Sequence, residues 1–198
     1  MPRDSSLSAL PSYPSAMSER PRELAHLEHV GDAVQYAEHM HALIPSCTLL
    51  ENFSLSEVRM LAHFMDVFRA GPGVEIIREG DGGDFMVMIL QGRVEVRKRD
   101  RWNETQVIAE VEAGRTLGEM SMIDGEPRFA TCVAIEPALV AGLHRESLAR
   151  IIVEQPMLGA KILMEIVLML SQRLRATSAR LVKVLDEQAR QASGLHED

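Results

Sequence analysis

The chain has 198 residues, with 21 Lys plus Arg against 29 Asp plus Glu and a formal net charge of −8. That length holds one core with appendages, and 46% apolar with 25% charged residues lies outside the compositions of disordered chains. The acidic balance excludes a surface that clings to phosphate backbones throughout, because such binding needs Lys and Arg to replace counterions. It leaves room for one local anion pocket.

Cys47 and Cys132 are far apart and form no metal-ligand spacing, which favours reduced thiols over a disulfide framework. No stretch of about 18 uncharged apolar residues is present, and the N-terminus has no apolar run of signal-peptide length. A cytoplasmic protein with no membrane partner is expected.

Residues 1–20 are rich in Ser and Pro and read as a flexible leader. From Pro21, the residues Leu24, Leu27, Val30, Val34, Ala37, Met40 and Ile44 recur at spacings of three and four, which predicts an amphipathic N-terminal helix over 21–45. Its four histidines, His26, His29, His39 and His41, lack converging ligand spacing and acidic or Cys partners, so no metal is expected. Pro45-Ser46 ends that segment. Ser54-Leu55-Ser56-Glu57 is a capping box that opens a second helix reaching Met65, because the Ser54 oxygen and the Glu57 carboxylate satisfy orphan backbone N–H groups.

After Gly71-Pro72-Gly73 the pattern changes to strands. Short runs rich in Val, Ile and Met (75–78, 85–90, 93–98, 105–111, 130–135 and 139–143) alternate with turns such as Gly80-Asp81-Gly82-Gly83-Asp84, Gln91-Gly92 and Asp124-Gly125. That spacing indicates a mainly β core with flanking helices, a sandwich or barrel, over 46–153. From Arg145 the pattern is helical again, and after Pro156 one long helix runs through 154–193, followed by a tail at 194–198. Leu163, Val167, Leu170, Leu174, Thr177, Leu181, Val184 and Gln188 alternate spacings of four and three. A sustained 3.5-residue repeat is a coiled-coil seam, so a homodimer through 157–192 is expected; the alternative is a helix folded back on its own barrel. Thr177, with Ser178 beside it, is polar at a seam position. A register device or a bound group accounts for that, as does a hydroxyl bonded to its own helix carbonyl.

The segment from Gly114 to Thr131 carries the most chemistry. Gly118 permits close backbone approach, and the residues after it begin a short helix whose free N–H groups form an anion site. Arg128, held by Pro127 at the mouth of the next strand, offers a guanidinium to a phosphate. Glu119 would repel a phosphate, so its role is to accept a hydrogen bond from a neighbouring hydroxyl. The pair suits a ligand that presents phosphate and ribose together; an Arg128–Glu119 ion pair closing the loop is the competing reading.

Taken together, the capping helix, the Gly80-Asp81 and Gln91-Gly92 turns, Gly118-Glu119, Pro127-Arg128-x-Ala130-Thr131 and the long terminal helix resemble the cyclic nucleotide-binding domain family. The likeness covers about residues 48–185 and is nearest to the sensor half of the cyclic AMP receptor branch. The resemblance implies an eight-stranded jelly roll whose short inter-strand helix forms a phosphate-binding cassette. It also implies that Glu119 accepts from the ribose 2′-hydroxyl beside the Gly118 backbone, and that Arg128 pairs with the cyclic phosphate. Arg173 then supports the site, Thr177 and Ser178 contact the base from the two subunits, and Met120 and Phe129 complete the ligand-binding set.

Two features depart from the family pattern. Members that bind nucleotides carry Ala, Ser or Thr where this chain has Phe129; pointing inward it would fill the pocket, and pointing outward only its backbone N–H would matter. The chain also ends at Asp198 without the helix-turn-helix of the transcription regulators, so no DNA reading is expected. No nucleophile elbow, metal triad or paired-carboxylate context suggests an enzyme. The expected protein is a stand-alone dimeric sensor of cyclic AMP or cyclic GMP, with no other cofactor, acting on an unidentified effector protein. A degenerate domain serving as a ligand-independent interaction module is the alternative.

Overall fold

The computed structural model describes residues 24–194, with side chains through residue 190. The leader lies outside the described residues. The continuous helix expected over 21–45 does not form: the segment is strand β1 (Glu28–Asp32), a 3-10 turn (Ala33–Tyr36), helix α1 (Ala37–Ala42) and a second 3-10 turn (Ile44–Ser46). Gly31, at φ +143°, sits at a register shift where β1 pairs antiparallel with β2 (Met65–Ala70), a conformation suited to glycine. The apolar spacing does mark buried residues, but they serve two cores. Leu24 and Leu27 pack between the sheets, whereas Ala33, Ala37 and Met40 pack under the helices. The histidines likewise take separate partners: His26 bonds the Glu75 carbonyl (2.7 Å), His29 the Asp66 carboxylate (3.0 Å) and His39 the Leu90 carbonyl (2.8 Å).

Helix α2 (Leu55–Ala62) opens on the expected capping box. Glu57 N–H donates to Ser54 Oγ at 3.3 Å, and Ser54 N–H donates to Glu57 Oε2 at 2.8 Å. It stops three residues short of Met65, which instead begins β2. The remaining strands are β3 (Glu75–Ile77), β4 (Phe85–Gln91), β5 (Arg93–Arg99), β6 (Thr105–Glu112), β7 (Thr116–Leu117), β8 (Thr131–Ala134) and β9 (Ala138–His144). They form two antiparallel sheets, ordered β1-β2-β9-β4-β7 and β3-β8-β5-β6. With β1 as an added edge strand, β2 to β9 make the eight-stranded jelly roll.

The first sheet is covered on both faces. Phe68, Val87, Ile89 and Val140 meet Ile77, Val94 and Cys132 of the second sheet, while Val67, Met86, Met88 and Leu143 lie beneath the helices. This explains why β4 reads as an unbroken apolar run: a strand buried on both sides has no polar face to alternate. Helix α3 (Glu119–Asp124) bridges β7 and β8. Helix α4 (Arg145–Glu154) turns into α5 (Pro156–Gly194).

The first half of α5 docks through Leu158, Ile162, Ile166 and Met169. Lys161 donates to Glu57 (2.7 Å), and Asn52 donates to the buried Glu165 (2.7 Å), fastening the helix to the base of α2. Every described residue from Leu174 to Arg190 is exposed.

Candidate functional site

Gly118 turns the chain from β7 into α3 at φ +84°. A Cβ there would lie 2.7 Å from Arg128 Nη1 and 2.9 Å from Ile77 Cδ1; backbone conformation and packing both require glycine. The missing side chain lets the Arg128 guanidinium close onto the turn. Arg128 Nη1 donates to the Gly118 carbonyl at 2.8 Å, and the guanidinium lies 4.2 Å from the centre of the Phe85 ring. Its backbone is fixed to the preceding β3–β4 turn, with Arg128 N–H on the Asp81 carbonyl (2.8 Å) and Gly80 N–H on the Arg128 carbonyl (2.9 Å). Only 3% exposed, Arg128 lines a cleft of about 770 Å³ together with Ile77, Arg78, Asp81, Gly82 and Phe85.

Glu119 is the first residue of α3 and is 1% exposed. Its Oε1 accepts from Arg173 Nη1, and its Oε2 is buried with no protein donor among the described residues. Arg173 also donates from Nη2 to the Thr116 carbonyl at 2.9 Å, so α5 holds both the strand and the helix that flank Gly118. Burial lowers the Arg173 pKa, and the nearby positive charge of Arg115 lowers it further. Arg128 and Glu119 therefore do not close the loop on each other. One is held by the Gly118 carbonyl and the other by the terminal helix.

Phe129 points outward. It is 56% exposed, its ring lies 4.5 Å from Lys98 Nζ, and the same ammonium donates to the Phe129 carbonyl at 2.7 Å. Lys98 in turn bonds Glu79 (2.8 Å) and holds that carboxyl below its ordinary range, with the Arg99 backbone N–H adding to the shift. This clamp pins the loop residue next to Arg128 against β5.

The structure thus brings together Gly118, Glu119, Arg128 and Arg173. Met120 is half-exposed on α3, and within one chain Thr177 and Ser178 lie exposed on α5 a turn beyond Arg173. Sequence reasoning missed Phe85, Thr116 and the Lys98–Glu79 clamp, whose roles depend on non-local pairing. It also read Gly83 only as a turn residue, although a Cβ there would fall 2.3 Å from Arg128 Nε.

Comparison with known proteins bears on the fold and the family. A family model described as cyclic nucleotide-binding domain matches residues 67–155. A crystal structure of a cyclic nucleotide-binding domain from Methylobacillus flagellatus KT superposes with a TM-score of 0.72 at 38% identity, covering 79% of this chain and 88% of that one. The chain belongs to the cyclic nucleotide-binding domain family.

Among curated proteins, the cyclic AMP receptor protein of Thermus thermophilus is 27% identical over 118 residues, 60% of this chain and 53% of that protein. A cAMP-dependent protein kinase regulatory subunit of Yarrowia lipolytica is 32% identical over 81 residues, 41% of this chain and 21% of that protein. The chain spans from about a fifth to about half the length of these two relatives. No helix among the described residues is long and apolar enough to cross a membrane.

Proposed function

We propose that this chain is a cytoplasmic regulatory sensor, without catalytic activity of its own, that binds a cyclic nucleotide in the cassette, with cyclic AMP favoured. The observation that carries the reading is the Glu119 carboxylate: 1% exposed, with one oxygen bonded by Arg173 and the other lacking a protein donor among the described residues. A buried acceptor without a partner is costly, and a sugar hydroxyl supplies the missing donor. Arg128 takes the phosphate from the cleft it lines, and Arg173 keeps Glu119 oriented. The outward Phe129 leaves the cassette open.

The dimer belongs to the same proposal. Leu174, Leu181 and Val184 are 68%, 58% and 48% exposed on the part of α5 that has left the domain, and each buried Leu or Val side chain is worth about 1.5–3 kcal/mol. Pairing two copies along this seam covers them and brings Thr177 and Ser178 of both subunits towards the base. Ligand occupancy then biases the α5 pairing presented to an effector protein.

Isothermal titration with cyclic AMP and cyclic GMP tests the reading. Cyclic AMP is expected to bind, and Arg128→Ala and Glu119→Gln each to weaken it at least tenfold. Absence of binding at millimolar nucleotide would refute the sensor and leave a ligand-independent interaction module.

A further inference from the structure

A second, smaller cavity of about 180 Å³ lies beside Arg173, where α5 leaves the domain. Thr48, the turn at Gly114 and Arg115, and the α5 residues Gln172 and Arg173 form its polar wall. The turn is pressed against the segment before Thr48: Gly114 has φ +90°, and a Cβ there would fall 2.3 Å from Ser46 Oγ. That contact sets the backbone just before Arg115, which lines the cavity.

Arg115 differs from the paired basic residues of the domain. Elsewhere on the domain Arg59, Arg69, Arg93 and Lys161 each hold a carboxylate. The Arg115 guanidinium has neither an ion pair nor a hydrogen bond among the described residues, and no Asp or Glu lines the cavity. Arg115 is also close enough to oppose the charge of Arg173. Glu119 meets the charge of Arg173, and Arg115 has no carboxylate of its own. Arg115 and Gln172 are exposed and Arg173 half-buried at this surface pocket; like charges side by side attract an anion, and the Thr48 hydroxyl and Gln172 amide, which have no partners among the described residues, add neutral donors.

We propose that this cavity binds a compact, doubly charged oxyanion of the phosphate class, free phosphate or a phosphomonoester head, between Arg115 and Arg173. Its volume is below the roughly 300 Å³ at which pockets for drug-sized ligands begin, which suits a small anion better than a whole nucleotide. It shares no lining residue with the Arg128 cleft.

The test is a titration of the full chain with inorganic phosphate, and separately with methyl phosphate, at constant ionic strength, followed by calorimetry and by phosphorus NMR line broadening. A saturable component is expected that Arg115→Met weakens at least tenfold and Arg115→Lys by less, since the ammonium keeps the charge but loses the fork. Binding of both probes identifies a site that admits a monoester; binding of phosphate alone identifies a free-ion site. Cyclic AMP affinity in phosphate-free buffer stays unchanged in Arg115→Met, so failure of the nucleotide reading and failure of this one are separate results. No saturable phosphate binding below about 10 mM, or binding that survives Arg115→Met, overturns the proposal.

Discussion

Gly83→Ala separates the position of Arg128 from its mere presence. Gly83 has no left-handed φ, so alanine fits its backbone, but the new Cβ would lie 2.3 Å from Arg128 Nε, 2.4 Å from Cζ and 2.7 Å from Cδ. Such contacts are too short to persist, and the flexible side chain is what yields. Arg128 must then leave the Gly118 carbonyl (2.8 Å) and the Phe85 ring face. A hydrogen bond from a charged donor contributes about 1.5–3 kcal/mol, and the cation–π contact about 0.5–2 kcal/mol. Water in the cleft recovers part of this for a displaced guanidinium, and the glycine replacement itself returns about 0.4–1 kcal/mol through the unfolded chain.

The fold is therefore expected to survive with a modest drop in Tm. Nucleotide affinity depends on the guanidinium being in place, and losing one charged hydrogen bond weakens binding about 10- to 100-fold. Calorimetric titration of wild type, Gly83→Ala, Arg128→Ala and the double variant reads this directly. Both substitutions remove the same group, so the double variant should bind no more weakly than Arg128→Ala. Unchanged affinity in Gly83→Ala, or additive losses in the double variant, would refute the reasoning.

Three further outcomes follow from the same contacts. Leu181→Asp places a charge at an exposed seam position and is expected to convert a dimer to a monomer in sedimentation while the domain keeps its fold; a wild-type monomer would dismiss the seam. Glu57 is held at about 2, down from 4.5, first by its hydrogen bond from Lys161 and then by the Ser54 backbone and hydroxyl. Its depressed pKa makes the contribution complete above the unfolded value and lost as pH falls towards 2. Urea melts should accordingly show Glu57→Gln weaker than wild type by about 1 kcal/mol at neutral pH, allowing for solvent screening, with the gap shrinking steadily below the unfolded value and closing only as pH falls past 2. A gap independent of pH would contradict the assignment. Burial pushes the Cys132 thiol up to about 12 and raises Cys47 as well, so neither should react with a thiol reagent at pH 8 until the protein is denatured; prompt stoichiometric labelling of the native chain would show the burial to be wrong.

Local grammar in the sequence was enough for six of the nine strands among the described residues, the capping box at Ser54 and Glu57, the Gly118 turn and the long terminal helix, because each rests on neighbours within a few residues; β1, β2 and the two-residue β7 are held by pairing with distant strands and were not read. The segment from Leu24 to Ile44 was misread because spacing reports that a residue is buried without saying in which core. Its buried residues pass from one core to the other between Leu27 and Val30, within or just before β1, and the strand gives way to a 3-10 turn only after Asp32.

Composition and motif order were likewise sufficient to find Arg128 and Glu119, but pairing decided what each one touches. Arg128 turns to the Gly118 carbonyl, Glu119 meets Arg173 from 54 residues away, and Phe129 lies outside the cassette under Lys98. These are contacts between side chains on separate elements, set by sheet register and by the docking of α5, and no local pattern encodes them. The same holds for Arg115: as a letter it is one of 21 basic residues, and only the packed turn and helix place it beside Arg173 with no carboxylate of its own.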